Sequence, residues 1–362
     1  MNVKQMFNIA GAYVGVVVGA GFASGQEILQ FFTYFGWWGT LGGIVAGLLF
    51  AWFGYQLLQI GSGMNASSHK QAIHLISGKY LGWLMDIIIT FFLFGVAGVM
   101  LAGGGAVLNQ QFGVPVTIGS IIILVLTILT LLLKMEKMVS VISIFTPFLL
   151  IAVLIITIGA YFTMDKDFAT LASFAKPDKA AASNWIFGAF LYVSYNLAAT
   201  APILITMGGR ISYDKRTLGM GGMMGGLTLG LLVLIIHLGM LSHLDQLTGI
   251  DLPTLYLANQ QFPWLAPILS IIILGMIFNT AVGMLYTFTS RMVSSESPKF
   301  KYALIASGIL AYVSSLFGFS KLVGTVYPIM GYLGFLLMGA TIFAWLRKKS
   351  RLTPFSNEKL EY

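Results

Sequence analysis

Glu27 is a carboxylate set deep in an apolar segment, and the residues before it are as unusual as it is. The run reads Gly19-Ala20-Gly21-Phe22-Ala23-Ser24-Gly25-Gln26-Glu27, at the centre of an apolar stretch covering residues 6–35. Glycine weakens a helix interior by about 1 kcal/mol relative to alanine, and a carboxylate at membrane depth costs roughly 2.5 kcal/mol or more. Backbone released from helical hydrogen bonds survives at that depth only when protein buries it or it lines a wet cavity. The chemistry on offer is therefore recognition: free N–H and C=O groups for a polar solute or ion, with Glu27 as a candidate proton carrier. Two blander roles stay open. Small residues allow close helix packing in bilayers, and a carboxylate at the start of a half-helix can simply pair with backbone N–H groups. Packing alone does not call for Gln26 and Glu27 in the same stretch.

The elements that must hold this run are membrane spans. Hydrophobic residues make up 57% of the 362 and charged residues only 9%, where a soluble domain carries roughly 25% charged residues. The mean hydropathy is +0.88. Runs of about 20 apolar residues match a hydrocarbon core of about 30 Å. Ten such runs occur, at 6–35, 37–61, 81–111, 115–133, 138–163, 183–208, 217–242, 264–292, 301–319 and 322–346. No small-residue cleavage pattern follows the first, so no cleavable signal is expected. There is no cysteine, which excludes disulfides and thiol chemistry. His69, His74, His237 and His243 are too scattered for a metal site, and His237 is expected as an interfacial ring near a span end. Asp86, close to the inner end of the third span, reads as an interfacial or gate residue. No Gly-x-x-x-x-Gly-Lys loop supports ATP hydrolysis. Paired carboxylates, a histidine cluster or an activated nucleophile would mark an enzyme, and none is evident. A channel would show a ring of like charges or a repeated filter, and neither is visible.

The net charge of +8 is a topology signal. With ten spans and an inner N-terminus, only Lys166, Lys176, Lys179 and Lys321 of the 20 lysines and arginines fall outside. That asymmetry is the positive-inside rule. It places both termini in the cytoplasm, in a multi-pass plasma-membrane protein, and leaves a nucleic-acid partner nothing to explain. Five spans (1–163) precede an extracellular connector (164–182), five follow it (183–346), and a basic cytoplasmic tail closes the chain (347–362). An odd number of spans per half forces the second half to enter the membrane inverted. The span that opens the second half also has a polar, proline-containing centre, Tyr192-Val193-Ser194-Tyr195-Asn196-Leu197-Ala198-Ala199-Thr200-Ala201-Pro202. Proline removes a helical donor and clashes with the preceding turn. Matched interruptions in two inverted halves point to a transporter's binding site, so unwinding is expected at Gly19–Gly25 and Tyr195–Pro202.

Gly19-Ala20-Gly21-Phe22 resembles the Gly-Ser-Gly-Ile type of motif in the first helix of amino acid–polyamine–organocation transporters. The five-plus-five pattern looks like their LeuT fold. The whole Gly19–Glu27 run is similar to that of the YkvI-like bacterial membrane proteins, described as candidate amino-acid permeases. This resemblance implies an all-α integral membrane protein of ten transmembrane helices, with helices 1 and 6 discontinuous at the centre and flanked by the third and eighth. It implies a secondary active transporter of a small polar organic solute, an amino acid or related compound, coupled to sodium or protons; the alternative is a sensor, receptor or channel on the same fold. Gly19, Ala20, Gly21, Phe22, Ser24, Gly25 and Gln26 from the first break, with Tyr192, Ser194, Tyr195 and Asn196 from the second, would then bind the solute. Its carboxylate would meet N–H groups near Gly21–Gly25 or Leu197–Thr200, and its ammonium carbonyls near Val18–Ala20 or Val193–Tyr195. The aromatics Phe22, Tyr192 and Tyr195 would close over its side chain. Sodium, the one cofactor implied, would lie between carbonyls near Gly19 and Phe22 and the oxygens of Asn279 and Thr280; Glu27 is the rival proton route. For Asn279 and Thr280 an interhelical hydrogen bond, worth about 0.6 kcal/mol, is the plain alternative. Span five (138–163) has no lysine or arginine, unlike proton-coupled relatives that place a lysine there. The 244–264 loop resembles the fold's extracellular helical cap, and Gln71–Ile76 reads as a short helix on the inner surface. The expected partners are a small-molecule solute, the lipid bilayer and, as an option, a second copy in a homodimer.

Overall fold

In the computed structural model, which describes residues 2–64, 69–133, 146–210 and 214–350, no strand occurs among the described residues. The apolar first segment is not one helix. Helix α1 (Val3–Val17) is capped at its start by Asn2, whose side chain accepts the Gln5 N–H at 3.4 Å. It stops where Val18 and Gly19 turn extended. Helix α2 (Ala20–Ser24) restarts the chain, and Gly25 breaks it again at φ +80°, a left-handed conformation that glycine adopts without strain. Ser24 Oγ donates to the Gly21 carbonyl at 2.7 Å and accepts the Gln26 N–H at 3.2 Å, stitching the two pieces across the turn. Helix α3 (Gln26–Phe31) and a 3-10 turn (Thr33–Phe35) complete the segment.

The rest is a bundle of α4 (Trp38–Met64), α5 (His69–Phe112), α6 (Val116–Leu132), α7 (Thr146–Phe162), α8 (Phe168–Ala172) and α9 (Trp185–Arg210), followed by α10 (Lys215–Leu241), α11 (Leu244–Leu247), α12 (Pro253–Gln261), α13 (Ala266–Met292), α14 (Phe300–Ser315) and α15 (Phe319–Ser350). Six of these are long and apolar enough to cross a membrane, within α4, α5, α9, α10, α13 and α15. The stretches 116–132, 147–162 and 300–315 are shorter apolar helices, and the first part of the run expected at 138–163 lies outside the described residues. Outward stripes such as Ile121, Val125 and Leu129 on α6, or Ile151, Ile155 and Ile158 on α7, are exposed. Such faces suit contact with hydrocarbon. The segment expected as a separate surface helix at Gln71–Ile76 is instead continuous with α5.

The discontinuity expected in the sixth span is not there: α9 runs unbroken through Tyr195–Pro202. Its polar side chains fold back on their own helix. Asn196 Nδ2 donates to the Tyr192 carbonyl (2.9 Å), Thr200 Oγ1 to Asn196 (2.8 Å) and Thr206 Oγ1 to Pro202 (2.7 Å). Pro202 removes one donor, a loss that membrane helices tolerate when side chains and neighbours compensate. The apolar stretch of α9 is 72% buried, against 44% for α13, so α9 is the enclosed central helix. His237 is likewise fully buried rather than interfacial. Its ring nitrogens pair with Thr33 Oγ1 (3.1 Å) and Thr40 Oγ1 (3.0 Å), tying the 3-10 turn and α4 to α10.

Glycines set the closest helix contacts. Along α10, Gly222, Gly226 and Gly230 lie four residues apart and face Gly54, Ala51 and Gly47 of α4. A Cβ built on Gly47 would stand 2.9 Å from Gly230 Cα. The α4–α9 contact is built alike, Gly61 against the Ile205 carbonyl and Gly208 against that of Leu58. Bilayer interfaces favour such residues because backbones can approach and gain dispersion contacts.

Candidate functional site

A cavity of about 820 Å³ enters the bundle from the N-terminal end of α1 and stops at the break. Gly11, Gly15 and Gly19 form one wall at intervals of four, and a Cβ built on any of them meets nothing within 4 Å. Across from them stand Phe92, Val96 and Met100 of α5 and Met276, Asn279 and Thr280 of α13. Helix α9 supplies Tyr195, Asn196 and Thr200, and α15 supplies Tyr327.

Glu27 closes the inner end. It sits in the first turn of α3, is 6% exposed and points back over the Gly25 turn. Tyr195 Oη donates to Glu27 Oε2 at 2.5 Å, and the Tyr195 ring stacks on Tyr327 with centroids 4.9 Å apart. The other carboxyl oxygen lies against Gly21. A methyl group built there would overlap Glu27 Oε1 and stand 3.2 Å from Tyr327 Oη. Gly21 is therefore the residue that makes room for Glu27. Among the described residues, no lysine, arginine or histidine lines the cavity. Asn279 Oδ1 is buried without a hydrogen-bond partner, and the end of α1 leaves the carbonyls of its last turn without intrahelical donors. Donors here are the N–H groups that start the short helix α2, the Tyr327 and Thr280 hydroxyls and the Asn279 amide; Glu27, Asn279 Oδ1 and the α1 carbonyls are acceptors.

The far side of Glu27 is sealed. The Gln26 amide orientation that satisfies its neighbours donates to the carbonyls of Ile250 (3.1 Å) and Asp251 (3.3 Å) and accepts from Ser320 Oγ (2.6 Å) and Gln30 Nε2 (2.7 Å). Ser320 N–H donates to Asp251 Oδ1 (3.2 Å), and Thr254 Oγ1 to the Ala23 carbonyl (2.6 Å). The connector adds two more bonds, Lys176 N–H to Tyr34 and Ala181 N–H to Gln30, each 3.0 Å. Burial raises the Asp251 carboxyl above the ordinary carboxylate range, and the Ser320 N–H offsets this only in part. A group with a raised folded-state pKa binds its proton more tightly folded than unfolded. Its contribution to stability is therefore gained as pH falls through the raised value and is complete below the ordinary one, about pH 4. Asp251→Asn should flatten that part of the Tm–pH profile between neutral pH and about pH 4. A variant whose Tm climbs on acidification as the wild type's does would contradict it.

Of the residues singled out in the sequence, Val18, Gly19, Ala20, Gly21, Glu27, Tyr195, Asn196, Thr200, Asn279 and Thr280 line the cavity. The others lie elsewhere. Phe22 is in the core, Ser24 and Gly25 form the turn, and Gln26 belongs to the seal. Tyr192 packs edge-on behind Tyr195, and Ser194 Oγ donates to the Gly331 carbonyl at 2.6 Å, joining α9 to α15. The carbonyls of Gly19 and Phe22 already accept the N–H groups of Ala23 and Gly25. The side chain of Asp86 lies outside the described residues. Sequence reasoning passed over Tyr327 and Met100, which no spacing signals, and Gly11 and Gly15, whose interval of four to Gly19 was there to be read.

No family model matches the chain. Membrane protein YkvI of Bacillus subtilis (strain 168) is 30% identical over 334 residues, covering 92% of this chain and 94% of that protein. The chain belongs to the YkvI family of membrane proteins. YyaD of the same organism is 25% identical over 331 residues, covering 90% of this chain and 92% of that one. Among solved structures, the inward-facing conformation of Mhp1 has a TM-score of 0.62 at 12% identity, over 96% of this chain and 78% of that one. MhsT in complex with L-phenylalanine has 0.55 at 16%, over 93% and 89%. An Eremococcus coleocola manganese transporter has 0.56 at 14%, over 99% and 82%. These likenesses establish the LeuT fold for this member of the YkvI family.

Proposed function

We propose that the chain is a secondary active transporter of a small polar organic solute, an amino acid or related compound, working by alternating access. The observation that carries this is the one-sided cavity: open along α1, and shut beyond Glu27 by the bonds of Gln26, Ser320, Asp251 and Thr254. A pore would need a path past that seal. The long and short apolar helices together with the broken first segment are read as ten crossings, in inverted halves 1–163 and 183–346 joined by 164–182. Both termini then lie in the cytoplasm, so the cavity faces inward. The chain is read as a plasma-membrane carrier rather than an enzyme, as a monomer or homodimer.

Coupling has two candidate carriers at this site. Sodium would use Asn279, whose Oδ1 is free, and Thr280 beside it, facing the carbonyl end of α1; a proton would use Glu27. Uptake into proteoliposomes tests both. If sodium couples, Thr280→Ala should raise the sodium concentration for half-maximal uptake at least tenfold, a change of about 1.4 kcal/mol. If the proton couples, Glu27→Gln should abolish the pH dependence and Thr280→Ala should matter little. Uptake indifferent to both gradients rejects coupling and leaves exchange or facilitated diffusion. Ligand binding without any uptake would make the protein a sensor.

A further inference from the structure

We infer that the head group this site accepts is an organic cation without a carboxylate, an amine, and that Glu27 supplies the carboxylate the solute lacks. The inference rests on the transport reading and narrows its substrate class. The closed end of the cavity, beside Gly21, already holds a carboxylate: Glu27 Oε1 lies where a Gly21 side chain would stand. A second carboxylate would meet a like charge, with no lysine, arginine or histidine among the described residues of the lining to offset it. Besides Glu27 the cavity offers further acceptors for a donor. Asn279 Oδ1 is buried and unpartnered, and the last carbonyls of α1 carry the negative end of that helix. The stacked rings of Tyr195 and Tyr327 stand beside the carboxyl group, and aromatic faces attract ammonium groups. The remaining wall, with Val96, Met100 and Met276, is apolar and suits a hydrocarbon substituent, with unbranched methionines adapting to its shape.

The test pairs each amine with its parent amino acid: phenethylamine with phenylalanine, and isoamylamine with leucine. Thermal unfolding of the purified full chain in detergent should show the amines raising Tm by several degrees at concentrations where the amino acids do nothing. Glu27→Gln should raise the amine concentration for half-maximal shift by at least roughly 30-fold, as removal of one partner of a buried charge pair does. If that variant does not purify, Glu27→Asp keeps the charge and should retain the preference for amine over amino acid at lower affinity. The assignment is overturned if the amino acids stabilise as well as the amines, if neither member of a pair shifts Tm, if Glu27→Gln responds like wild type, or if Glu27→Asp loses the preference. Proteoliposomes separate this from the underlying reading. An amine that binds but is never accumulated upholds the assignment and removes transport, whereas accumulation of the amino acid alone does the reverse.

Discussion

Gly21→Val should purify as a monodisperse species and no longer respond to any solute that stabilises the wild type. The space beside the Gly21 Cα holds the Glu27 carboxyl group, with Tyr327 Oη just beyond. A valine would push that carboxyl aside. It is the far end of a flexible side chain and has an 820 Å³ cavity to move into, so the backbone need not shift. The cost is that of overpacking, about 1–3 kcal/mol, together with the Tyr195 hydrogen bond, a charge-assisted contact worth about 1.5–3 kcal/mol. The displaced carboxyl then occupies the cavity in place of a solute. Thermal shift and equilibrium binding would measure both effects. Unchanged affinity in folded Gly21→Val protein would put the binding site somewhere other than the end of this cavity.

Gly230→Val should have the opposite outcome: little or no folded protein. A Cβ built on Gly230 would overlap Gly47 Cα, with backbone on both sides and no side chain able to yield. The helices could separate only by opening the whole α4–α10 seam, including the contacts of Gly222 with Gly54 and of Gly226 with Ala51. The loss should exceed about 3 kcal/mol, the upper end of ordinary overpacking, out of a typical total of about 5–15 kcal/mol. Size-exclusion profiles after detergent extraction would read it. Gly283→Val is the matched control, because nothing lies within 4 Å of a Cβ there. Well-folded Gly230→Val with a Tm near the wild type's would mean the seam tolerates a side chain after all.

The first break was legible because Gly19, Gly21, Gly25 and Glu27 conflict with an ordinary span on several counts at once. The second was misread for a physical reason. Asn196 and Thr200 look like groups waiting for a ligand, but a side chain three or four residues from a carbonyl can bond to its own helix first. Pro202 costs a donor without forcing the chain apart when neighbouring helices enclose it. Within the site, the sequence named the run but not its facing. Each interruption resets the helical phase, so Ala20 and Gly21 line the cavity while Phe22, Ser24 and Gln26 turn away. Tyr327 arrives from a segment 300 residues beyond Glu27, and only tertiary packing brings it there.

Where two backbones touch, there is no rotamer to turn and no methylene to compress. The glycine contacts of α4 with α9 and α10 bring those three helices together backbone to backbone, and such a block is expected to move as one piece. The α5 and α13 side of the cavity carries Val96, Met100, Met276 and Met284, and its unbranched methionines can change shape at little cost. Compliance is thus distributed unevenly around the cavity. If the chain works by alternating access as proposed, movement that uncovers the sealed end is expected to be taken up as shear along the α5–α13 side, with the glycine block turning as one piece.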